Sequence, residues 1–114
     1  MLNTLTQEPH SIACDLNAIP AEYRATHILT AQQLFALAPR VSEIENGVEL
    51  VLPGDEETFV HTAQFIAHER ECCPFFTFTL EAKPGEALFQ LRLTGEGQVK
   101  ELLLAQFGDK LTAA

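Results

Sequence analysis

Two adjacent cysteines, Cys72 and Cys73, lie in Glu69-Arg70-Glu71-Cys72-Cys73-Pro74-Phe75-Phe76, with His68 and Glu69 one helical turn upstream. Thiolate is the preferred ligand of soft or borderline ions such as Zn²⁺, Cu⁺, Hg²⁺ and As(III). On a regular helix neighbouring side chains diverge. Pro74 forbids further helix and pushes Cys73 out of the helical region, so a helix ending between the two lets both sulfurs converge. His68 and Cys72 are spaced i, i+4, as Glu69 and Cys73 would be if the helix continued. Cys14 can bring a third sulfur from the N-terminal segment. A cation is favoured at the negative end of a helix, and the same dipole opposes a free thiolate. The candidate metal ligands are therefore Cys14, Cys72 and Cys73. His68 and Glu69 are possible auxiliary ligands, and Arg70 is a charge balancer or surface ion-pair partner.

Two other chemistries fit the same residues. Free cysteine packs well as a small hydrophobe, and a pair before Pro-Phe-Phe can simply fill a helix–sheet junction. That reading gives an interaction module with core cysteines. A redox or nucleophilic cysteine needs His⁺ or a helix N-terminus to stabilise its thiolate. His68 can serve Cys72 or Cys73, although the helix polarity is wrong. A Cys14 bridge to either partner would make a redox latch. Paired C-x-x-C elements of a structural zinc site are lacking, and no catalytic residue is assigned. His10, His27 and His61 read as surface or boundary residues. Gly95-x-Gly97 reads as the start of a helix, because a phosphate loop would need a third glycine and a lysine.

The elements that carry these residues follow from period and punctuation. Residues 1–13 show no period and read as a loose arm, leaving 14–110 as one domain. Pro20 opens a helix on which Tyr23, His27, Ala31, Leu34 and Ala38 recur, with Ile28 and Phe35 beside them; Pro39 ends it. Asn46-Gly47 suits a type I′ hairpin turn, followed by Val48, Leu50 and Leu52 on one face. Asp55 is a good N-cap for a second helix with Phe59, Ala63, Ile66 and Arg70 in line, running to about Cys72. Phe76, Phe78 and Leu80 form one side of a strand. Lys83-Pro84-Gly85-Glu86 turns the chain into Phe89, Leu91 and Leu93. A third helix carries Val99, Leu102, Leu103, Gln106 and Phe107, with Gly108 as C′. The order α-ββα-ββα implies an α+β two-layer sandwich, an antiparallel four-stranded sheet with helices on one face.

At 114 residues the chain can bury a core without covalent staples. Its 7 basic and 16 acidic side chains leave a net charge of −9, which argues against nucleic acid or an anionic membrane as partner. No apolar run approaches a membrane span and no signal peptide is visible, so the expectation is a cytoplasmic protein with reduced thiols. The expected partner is a soft metal or metalloid ion (zinc, mercury or arsenic species). A bare sheet edge leaves room for a homodimer.

Glu69, Arg70, Cys72, Cys73, Pro74, Phe75, Phe76, Phe78 and Leu80, followed by Leu91-Arg92-Leu93-Thr94-Gly95, resemble the core motif of a small bacterial family. Ala13-Cys14-Asp15-Leu16 matches its N-terminal A-C-x-L stretch, and the likeness covers roughly residues 12–107. The family resembles accessory domains found with heavy-metal- or mercury-resistance-type regulators, and no activity is established to carry over. The resemblance implies that Cys14, Cys72 and Cys73 act as a set, with Glu69 and Arg70 beside them. Gly95-Glu96-Gly97-Gln98 departs from it, since the family more often has proline after the first glycine.

Overall fold

The Asp55 carboxylate accepts from the N–H and hydroxyl of Thr58, and from this cap α2 runs Glu56–Cys72. Those two donors hold the Asp55 carboxyl below its ordinary pKa. In the computed structural model, which describes residues 14–112, two further helices accompany it. They are α1, Ala21–Leu37, opening after Pro20 and closing before Pro39, and α3, Gln98–Phe107. The strands are β1 (Arg40–Ile44), β2 (Gly47–Pro53), β3 (Thr77–Glu81) and β4 (Leu88–Thr94). They form an antiparallel sheet in the order β1-β2-β4-β3, and the predicted α-ββα-ββα sandwich is the fold observed. The N-terminal arm and His10 lie outside the described residues.

The core lies where the period-2 pattern places it. Val48, Leu50 and Leu52 stand opposite Leu93, Leu91 and Phe89, and all six are buried. Burying side chains of this size contributes roughly 1.5–3 kcal/mol each. Phe59 of α2 stacks on Phe89 at 4.1 Å, and Phe35 of α1 stacks on Phe107 of α3 at 4.9 Å. On the opposite face Arg92 reaches Glu49 at 2.9 Å and Glu81 at 2.7 Å, spanning three strands.

Four local expectations are corrected. The β1–β2 turn is centred on Glu45-Asn46, since Ile44 pairs with Gly47, and neither residue has positive φ. It is therefore not type I′. Gly47 is needed because β4 passes so close that a Cβ would strike the Leu93 carbonyl oxygen. Gly108 is right-handed (φ −61°) and starts a 3₁₀ turn, Gly108–Lys110, instead of forming a left-handed C′. Phe76 is buried ahead of β3, whereas Leu80 within β3 is exposed, so the aromatic face begins in the loop.

The fourth correction matters most. The buried line of α2 is Thr58, Thr62, Phe65, Glu69 and Cys72, one position from the apolar line expected, and Val60 and Arg70 face outward. Polar residues can take this line because each described one is satisfied: Thr62 donates its hydroxyl to the Thr58 carbonyl at 2.7 Å, and Glu69 meets His27.

Gly47→Ala is expected to destabilise the protein by about 1–3 kcal/mol through this backbone collision. Gly108→Ala enters open space at a right-handed φ and should be neutral or stabilising by up to about 1 kcal/mol. Urea midpoints at constant slope measure both.

Candidate functional site: a three-sulfur cluster

The end of α2 brings the sulfurs together. Cys73 donates its N–H to the Glu69 carbonyl, then leaves the helical region (φ −129°, ψ 76°) as Pro74 requires. The N-terminal segment meets this corner through Asp15, whose N–H donates to the Cys72 carbonyl at 2.9 Å. Asp15 also caps a 3₁₀ turn, Leu16–Ala18, and Ile19 behind it is fully buried. Arg24 of α1 holds the turn in place by donating to the carbonyls of Leu16, Asn17 and Ile19 at 3.1, 3.2 and 2.9 Å.

Cys14 is thereby delivered to Cys73, and the two form a disulfide with a Cα–Cα distance of 4.6 Å. Cys72 is the free cysteine; its Sγ lies 3.7 Å from that of Cys73. All three Sγ atoms lie within 4.8 Å of one another. The expected convergence of Cys14, Cys72 and Cys73 is therefore present, but the reduced state expected of the thiols is corrected for two of them, since one of the open pairings, Cys14–Cys73, is made.

Two buried polar residues stand beside the cluster. Glu69 Oε2 is 3.6 Å from Cys73 Sγ, and Glu69 Oε1 is 2.8 Å from His27 Nε2. Both side chains are almost wholly buried. His27 Nδ1 is buried without a hydrogen-bond partner among the described residues. The His27 ring stacks on Phe65 at 5.5 Å. Burial first, and then the negative Glu69, push the Cys72 thiol above its ordinary pKa. This is a setting for a protonated thiol, unless a cation enters.

The other predicted residues go elsewhere. His68 stacks on Tyr23 at 5.0 Å and meets His27 edge-on at 5.9 Å, so aromatic packing draws it toward α1 and it is not a member of the sulfur group. Arg70 is exposed and makes no ion pair with any described residue. His61 is half-buried and outside the cluster. His27, expected at the surface or boundary, is instead buried as the partner of Glu69. The helical spacing of Leu34 and Phe35 with His27 marked a common face but gave no sign of an acidic partner 42 residues away.

A cavity of about 570 Å³ opens against the cluster. Cys14 and Cys72 line it, together with Glu69, His27 and apolar side chains of α1, α2 and α3. Gln106 on α3 lies at its edge, with Oε1 3.3 Å from Cys14 Sγ. No described helix is long and apolar enough to cross a membrane. Compared with family models, curated proteins and solved structures, the chain matches none.

Arg24→Ala should loosen the Leu16–Ala18 turn and make the Cys14–Cys73 bond easier to reduce, shifting its midpoint upward in a dithiothreitol redox titration. Glu69→Leu strips His27 of its described partner and should cost at least about 1–3 kcal/mol, whereas His27→Phe combined with Glu69→Leu should recover much of that loss. A double-mutant cycle in urea measures the coupling, and purely additive losses would rule out the pair as a unit.

Proposed function

We propose that the reduced protein captures a soft metal or metalloid ion through Cys14, Cys72 and Cys73, with Glu69 as an auxiliary ligand. The observation that carries this reading is the mutual approach of the three sulfurs at a helix C-terminus. Two sulfurs on one tetrahedral zinc at about 2.3 Å stand roughly 3.8 Å apart, and a sulfur and a carboxylate oxygen about 3.6 Å apart. Cys72 and Cys73 are separated by 3.7 Å, and Cys73 and Glu69 Oε2 by 3.6 Å. The same surroundings that penalise a bare thiolate at Cys72 favour a cation. Binding would then release protons and weaken in acid. Sequestration, sensing or transfer of the ion follows from such a site without catalysis. The motif likeness to domains found with heavy-metal-resistance-type regulators belongs to this reading.

A second reading has one observation in its favour. The Cys14–Cys73 bond suits a thiol redox protein, with Cys72 poised beside it. It needs an accessible low-pKa thiol, and both the upward push on Cys72 and its burial work against it.

Protein reduced with a phosphine and desalted should bind Hg²⁺, As(III) or Zn²⁺ at one equivalent, read by charge-transfer absorbance and by protons released. The Cys72→Ser/Cys73→Ser variant should lose binding, and so should the oxidised wild type until it is reduced again. Unchanged affinity in the double variant would refute the site.

A further inference from the structure

We infer that the cavity beside the sulfurs is a subsite for an aryl-sized apolar group. The thiophile this site takes is then a soft centre carrying one organic substituent, typified by a monoaryl arsenic(III) species. This deepens the soft-ligand reading above and rests on it. A bare ion held by three sulfurs needs no space beyond its own coordination sphere, yet about 570 Å³ adjoins them. That lies within the roughly 300–1,000 Å³ of small-molecule sites, and an apolar cavity of about 150 Å³ suffices for benzene. Ile28, Ala31, Phe35 and Phe65 supply apolar wall, with Phe35 and Phe65 buried. The buried polar lining residues are His27 and Glu69, which pair with one another, while Asp15, Gln32, Gln106 and Lys110 are exposed. The inner wall is therefore apolar apart from that pair, and the mouth is polar.

The division of the sulfurs matches the valence. Cys14 and Cys72 line the cavity, whereas Cys73 is fully buried and does not. A centre of the form R–As(OH)₂ takes two thiols: two As–O bonds break, two As–S bonds form, and both thiol protons leave in two molecules of water. Arsenic keeps its oxidation state, and its R group stays attached and enters the cavity. Arsenite, As(OH)₃, has no such group and takes three thiols with release of three waters. The disulfide is first opened by an added phosphine and one water: the bond accepts two electrons from phosphorus and two protons from the water, whose oxygen is left in the phosphine oxide.

The test uses the full chain, reduced with tris(2-carboxyethyl)phosphine and desalted under argon. Phenylarsine oxide and methylarsine oxide are each competed against 2,3-dimercaptopropanol, with arsenite in parallel. Both organic probes consume two thiols, so their ratio, relative to the small dithiol's own, isolates the cavity. The expected ratio favours phenyl by about tenfold or more. Ala31→Leu, which fills the cavity, should erase the preference and leave methyl binding intact. Ile28→Ser removes apolar wall from a position already 43% exposed, so it tests the same point with little risk to folding, and it should lower the ratio. Arsenite binding with no phenyl preference, or a preference unmoved in both variants, would overturn the inference alone. Failure of all three arsenicals to bind would overturn the three-sulfur reading along with it.

Discussion

The structure depends on where α2 is made to stop. Pro74 denies the helix another turn, Cys73 turns out of it, and the Cys72 carbonyl is left to accept the Asp15 N–H instead of a further helical donor. That single backbone bond joins the N-terminal segment to the helix end. The buried Ile19 and the Arg24 clamp hold the segment's other side. With both sides held, Cys14 has little freedom except to face Cys73. The sulfur cluster is thus a consequence of helix termination, with the Cys14 segment fastened onto the terminus.

The same termination sets the electrostatics. A helix C-terminus, the buried Glu69 carboxyl and Asp15 all present negative charge or partial charge to Cys72, and burial removes the water that would otherwise soften it. Such surroundings suppress a free thiolate and so count against a nucleophile. His27 answers Glu69 on its far oxygen and leaves the near one beside Cys73. The carboxyl group is thereby fixed in orientation by a residue from another helix.

Much of this was legible in the sequence because the signals were local. Prolines 20, 39 and 74 bracket α1 and end α2, and alternation in β2 and β4 gave the buried face and with it the sheet. Lys83-Pro84-Gly85-Glu86 formed as expected, with Gly85 at φ +76° where a type II turn requires it. Two of the differences share one cause: hydrophobicity marks a line where polar satisfaction decides. On α2 the line of Phe59 and Ile66 outranked that of Thr58, Thr62 and Glu69, yet the second is buried, because its polar atoms find partners that periodicity does not register. His27 was misplaced for the same reason. Asn46-Gly47 misled differently, since the glycine answers to the neighbouring β4 backbone and not to the turn.

The cavity adds a constraint that sulfur geometry alone would not impose. Cys14, Asp15 and Leu16 are part of its wall, and Cys14 is also one end of the disulfide. The covalent link and the wall are therefore one segment, so the oxidation state of the sulfurs and the shape of the space beside them are set together. In the bonded form Cys14 is committed to the buried Cys73, leaving Cys72 as the one free sulfur on the cavity side. Cys14 and Cys72 line the space between α1, α2 and α3, with the sealed Cys73 behind them and Phe35 and Phe65 in the same wall.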